Sequence, residues 1–220
     1  MRSILFILGI FLLTGQIGSV SANTAPPSST ARLIFIHHSV GENWLADDNG
    51  GLGASLRDNN YFVSDTNYGW GPNQIGDSTD IGQWWLWFRG PDSGAYLSSL
   101  YQENAQHAGY SRLSSGPVGE NEVILFKSCF PNSSLQGNPA DPVPAIGSNP
   151  LRGEGSGSEH HTVANAKGIY NDLLEYFRTR QDKLFIVITA PPQQDPTYAA
   201  NARAFNQWLA VLPLFQRGGV

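Results

Sequence analysis

Cysteine is nearly absent from this sequence. Cys129 is the only one in 220 residues, so no disulfide can form within the chain, and the Cys/His spacing of a structural zinc site is missing. Stability must come from packing. Charge is scarce as well: 13 Lys and Arg stand against 18 Asp and Glu, for a net charge of −5, and no basic run occurs. That leaves no electrostatic footprint for nucleic acid or an anionic membrane. Long apolar runs are lacking too. The run over residues 4–13 is too short to span a bilayer as a resident helix.

That run has a different use. Met1-Arg2-Ser3 supplies a positive start, and Val20-Ser21-Ala22 a small-x-small end, the pattern of a cleavable secretory signal over residues 1–22. The expectation is a secreted or periplasmic protein with no transmembrane anchor after cleavage. Residues 23–31, with Pro26-Pro27 and several Ser and Thr, read as a flexible leader. Residues 32–220 then form one domain of ordinary size.

Four short apolar blocks punctuate that domain: Leu33 to Ile36, Tyr61 to Val63, Val123 to Phe126 and Leu184 to Thr189. Solid apolar blocks are the mark of strands buried on both faces of a parallel sheet. Between them lie helical segments near Trp44-Leu45, Leu52 to Leu56, Trp84 to Phe88, Tyr96 to Gln102, Thr162 to Arg178 and Thr197 to Leu212. The fifth of these, with Thr162 as a plausible cap, has the clearest apolar stripe. Alternating strands and helices predict an α/β fold, a three-layer α/β/α sandwich around a flavodoxin-like parallel sheet. Residues 136–158 are rich in Gly, Pro and Ser, and a loop of that length is usually functional or disordered.

In such a sheet the ligand site lies beyond the carboxyl ends of the strands. Three polar clusters fall there: His37-His38-Ser39, Ser128 to Ser133, and Pro191 to Asp195. A serine hydroxyl is a poor nucleophile unless a sharp turn exposes it near a base and near donors for a developing oxyanion. Ser39, at the end of the first strand and followed by Val40-Gly41, has the position for that turn.

The segments Ile34-Phe35-Ile36-His37-His38-Ser39-Val40-Gly41, Lys127-Ser128-Cys129-Phe130-Pro131-Asn132-Ser133 and Ile188-Thr189-Ala190-Pro191-Pro192 resemble a divergent bacterial branch of the SGNH/GDSL hydrolase superfamily. The resemblance covers residues 32 to about 210, with His-His-Ser in place of Gly-Asp-Ser. It implies Ser39 as nucleophile and Asn132, or less readily Ser128, as oxyanion donor, although the Gly and Asp that usually flank that Asn are missing. A Gly after the second strand would be the second donor; Gly69, Gly71, Gly76 and Gly82 all qualify, and Gly71 is preferred. The implied reaction is hydrolysis of ester bonds, with acyl or acetyl groups on carbohydrate as the expected substrate class and no cofactor.

The Asp-x-x-His pair that completes the family's triad, together with a fifth strand, is not found before Val220 and is expected from a longer relative. Within the chain, His161 of the His160-His161 pair is the replacement base considered first. In an extended strand His38 would point away from Ser39, and His37 would hardly reach it. The histidines lack a carboxylate at ligand-like spacing, so no metal site is expected.

Three other readings compete. A literal Gly76-Asp77-Ser78 has no buried strand leading into it. Cys129, at a strand end, could pair with a histidine as a thiolate, or be a small buried residue. Trp70, Trp84, Trp85 and Trp87 either form a platform for sugar rings or anchor core and loops, which is the commoner use. A non-catalytic carbohydrate-binding domain, or an inactive fragment, is therefore the alternative to the hydrolase.

Overall fold

The computed structural model describes residues 25–191 and 193–211; the expected signal sequence lies outside the described residues. Four strands, β1 (Ala31–Ile36), β2 (Tyr61–Thr66), β3 (Val123–Lys127) and β4 (Leu184–Ile188), form one all-parallel sheet in the order β2-β1-β3-β4. The fold is α/β.

The order follows from handedness. The chain steps from β1 to β2 in one direction, then back across β1 to β3 and on to β4. Right-handed crossovers put the connections of the first step on one face and those of the later steps on the other. So α1 (Val40–Leu45) and α2 (Leu52–Asp58) pack with Leu33, Phe35, Val63, Val123 and Leu125 on one face. The opposite face takes α3 (Trp84–Arg89), α4 (Ser93–Gln102), α5 (Val163–Phe177) and α6 (Pro196–Val211), which cover Ile34, Ile36, Ile124, Phe126 and Phe185. The reversal lies between β1 and β3, and in sheets of this kind the ligand crevice lies there, beyond the carboxyl ends.

Local signals act as expected in α5. Thr162 caps it, its hydroxyl accepting from Asn165 N at 3.2 Å, and its apolar stripe is buried. Strand β2 is longer than its apolar letters suggest, because Ser64, Asp65 and Thr66 are fully buried in it. The Gly/Pro-rich stretch is a packed strap. Leu151 is buried, Arg152 forms a two-pronged bond to Asp172 (2.8 and 2.7 Å), and Gly153 N donates to Gly82 O. The end of the expected leader is tied down as well, Asn60 Nδ2 donating to Pro27 O and Thr30 Oγ1 to Asn60 Oδ1. Among the described residues, no helix is long and apolar enough to cross a membrane.

Candidate active site

At the end of β1 the chain turns sharply into α1, and Ser39 is the turn. It sits at φ 51°, ψ −120°, a backbone conformation that L side chains rarely adopt, and it is exposed. Glu42 N donates to Ser39 O at 2.9 Å, closing the first turn of α1. Among the described residues, no group hydrogen-bonds the Ser39 hydroxyl. Gly41 makes the turn this tight: a Cβ there would lie 2.5 Å from His37 Cβ, so only glycine lets α1 start directly on top of the strand end. A strained, exposed serine between a buried strand and a helix is the geometry that presents a nucleophile.

Beneath Ser39, three strands end in polar residues on the α1/α2 face. His37, fully buried, has Nε2 3.0 Å from Asp65 Oδ2. Asp65 is equally buried; its other oxygen accepts from Tyr110 Oη and from His107 N, both at 2.8 Å. Burial and the neighbouring Asp65 push the Tyr110 phenol well above its ordinary range. From β3, Lys127 is 2% exposed and its ammonium lies 5.6 Å from the Trp44 ring centroid.

Across the β1/β3 crevice, Lys127 Nζ is 3.3 Å from Cys129 Sγ, and Cys129 Sγ is 3.7 Å from His38 Nδ1. The His38 ring stacks on Tyr68 with centroids 4.6 Å apart. Burial, and then the charge of Lys127, hold the His38 imidazole below its ordinary value, which keeps it neutral near neutrality. This His38–Cys129–Lys127 row was legible only as three separate strand-end residues.

The other expected site residues are placed as follows. Asn132 is buried after β3; its Nδ2 donates to Asp80 Oδ1 at 2.6 Å and to Cys129 O at 3.2 Å, while its Oδ1 accepts from Ile81 N at 2.8 Å. Both amide hydrogens are thus engaged, and Asn132 shapes the loop rather than offering a free donor. Gly71, at φ 76°, opens the 3₁₀ turn Pro72–Asp77, and its N–H meets no described acceptor. His161 does not meet Ser39. It is buried, Nε2 lies 3.2 Å from Asn132 O, and Nδ1 is enclosed with no partner among the described residues; burial lowers its imidazole below the ordinary value. A carbonyl can only accept, so Nε2 carries the hydrogen there and the lone pair sits on the enclosed Nδ1.

The tryptophans are spent on structure. Trp70, Trp84 and Trp87 are buried, and their indole N–H groups donate to Glu103 Oε2 (2.6 Å), Ser128 Oγ (2.8 Å) and Ser78 O (2.6 Å). Half-buried Trp85 packs against that core under the Arg152 guanidinium, 5.2 Å from its ring centroid. Among the described residues, no three His, Cys, Asp or Glu side chains converge as a metal site would require.

The chain matches no family model, no curated protein and no solved structure. Asp65, Lys127 and the His38–Cys129 contact escaped the sequence reading; the signal for the first two was that an apolar strand block closes on a charged residue on the face that carries His37.

Proposed function

We propose that this chain is an exported serine hydrolase acting on ester bonds, with Ser39 as nucleophile. The observation that supports it most is the backbone of Ser39: φ 51°, ψ −120° on an exposed residue that a buried strand feeds into a helix, at the sheet's topological switch point. Strain of this kind costs about 1–3 kcal/mol and survives where the surroundings over-determine it, as at reactive turns. Here Gly41, the His37–Asp65 pair and the bond from Glu42 N to Ser39 O do so.

In this reading, the Ser39 hydroxyl oxygen forms a bond to the ester carbonyl carbon as its proton passes to an imidazole. His38 is next in the chain, neutral near neutrality, and its Nε2 has no described partner. The objection that residue 38 points away from residue 39 applies to an extended chain, and the positive φ at Ser39 ends the extension. Collapse of the tetrahedral intermediate expels the alcohol, and water then releases the acid from the serine ester. Backbone N–H groups, that of Gly71 included, are the free donors for the oxyanion. The substrate class is small acyl esters, carbohydrate-borne ones among them; indole stacking adds no sugar preference, since the tryptophans serve the core.

Labelling with a fluorophosphonate tests this. Wild-type and Ser78→Ala chains should be labelled and should release p-nitrophenol from p-nitrophenyl acetate, and Ser39→Ala should do neither. Labelling that survives in Ser39→Ala would refute the assignment.

A further inference from the structure

Among the described residues, the cation at the end of β3 pairs with no carboxylate. Lys127 is 2% exposed, and the only group to which its ammonium hydrogen-bonds among the described residues is the Cys129 thiol, at 3.3 Å. A buried ammonium without a counter-charge is expensive. The face of Trp44, at 5.6 Å, offsets only part of that cost. His38 Nδ1 lies 3.7 Å from the same sulfur and, with Nε2 left as the base, can donate to it. The partly exposed sulfur thus lies between a buried cation and an N–H donor. Cysteines in electropositive, partly exposed surroundings are the reactive ones. Ionising Cys129 would give Lys127 the partner it lacks.

We propose that Cys129 is a nucleophilic thiolate that takes up small soft electrophiles, hydrogen peroxide among them, and that a group carried on its sulfur closes the approach to Ser39. The closing half rests on the serine-hydrolase reading; the thiol half stands without it. With peroxide, the sulfur forms a bond to one oxygen as the O–O bond breaks. The sulfur is oxidised by two electrons to a sulfenic acid, and the other oxygen leaves as hydroxide. With iodoacetamide, an S–C bond forms and iodide leaves with the electron pair. The added group would occupy the space against His38, one residue from Ser39.

Because Cys129 is the only cysteine, intact mass reads its modification without ambiguity. The experiment follows iodoacetamide alkylation near pH 7 for the folded chain and for the urea-unfolded chain, which is the free-thiol reference. The folded chain should react at least about tenfold faster, the gain expected when an ordinary thiol becomes mostly thiolate. Lys127→Met should return the rate to the unfolded value or below. Should that variant not fold, the wild-type ratio decides alone, and a folded rate at or below the unfolded rate overturns the thiol proposal. Fluorophosphonate labelling before and after complete alkylation tests the closing half. Loss of serine labelling supports it, provided iodoacetamide leaves labelling of Cys129→Ala unchanged; undiminished labelling overturns it. If untreated wild type takes up no fluorophosphonate, the hydrolase reading and the closing half fail together, while the alkylation ratio still judges the thiol.

Discussion

The turn after β1 and the loop after β2 each hold a serine, and the contrast between them separates a motif from a site. In the loop, the letters Gly76-Asp77-Ser78 stand in order, yet each residue maintains the loop's own shape. Ser78 is relaxed at φ −106°, ψ 80°; its N–H donates to Ile75 O and its carbonyl accepts from Trp87 Nε1. The Asp77 carboxylate accepts from Gly69 N at 2.8 Å. In the turn after β1 the letters are unfamiliar, but Ser39 is strained and exposed, with buried polar groups holding the strand end below it. What presents a nucleophile is a buried strand feeding a forced turn, and a tripeptide cannot supply that by itself.

The sharpest way to break this contrast is kinetic. Ser39→Ala should lower ester hydrolysis by roughly 10³-fold or more, and Ser78→Ala should leave it within about twofold. Equal losses in assays of p-nitrophenyl acetate turnover would erase the distinction.

The carboxylates below the two serines give the next largest difference. Asp65→Ala strips a partner from fully buried His37 and from the less buried Tyr110 hydroxyl and His107 N–H, and should cost about 3 kcal/mol in urea unfolding. Asp77→Ala removes a single exposed bond to Gly69 N and should cost about 1 kcal/mol or less. A small loss for Asp65→Ala would mean that the strand end is not held as described.

Strain itself can be read. Ser39→Gly should raise stability by about 1 kcal/mol while abolishing turnover, because glycine adopts this backbone freely, whereas Ser39→Ala should bring no such gain. A destabilised Ser39→Gly chain would remove the strain argument.

The smallest effect is a pH slope. Burial holds the imidazoles of His38 and His161 below the ordinary 6.5. As pH falls below that value, the unfolded chain takes up protons that the folded chain refuses, so stability present above it is progressively lost. The melting temperature should fall accordingly; His161→Gln should remove the larger share of that slope and His38→Gln a smaller one, since His161 is the more buried. An unchanged slope in both variants would show that these imidazoles are not the titrating groups.

Much of the fold was legible because apolar blocks are a local signal. Leu33 to Ile36, Val123 to Phe126 and Leu184 to Ile188 each became a strand, and Thr162 capped the helix that its hydroxyl announces. Strand β2 was read short, since Ser64 and Asp65 look like loop letters until Asn121, His37 and Tyr110 arrive from distant segments to satisfy them. Of the candidate site, the position of Ser39 was legible and its neighbours were not. Cys129 and His38 lie 91 residues apart in the chain, and no spacing rule joins them. The long strap over residues 136–158 read as loose because Gly and Pro carry no packing signal, yet Leu151 and the Arg152–Asp172 pair bind it to the core.

The sequence by itself determined the class of fold and the strand end at which a serine stands, because strand burial and turn chemistry are written in consecutive residues. Only the tertiary structure decided which histidine faces the crevice, that Asn132 spends its amide on the loop, and that a buried lysine lies against the one thiol. The His38–Cys129 and Asn132–Asp80 contacts join the segments that follow β1, β2 and β3. They exist only once right-handed crossovers have reversed the chain between β1 and β3 and brought the three carboxyl ends together.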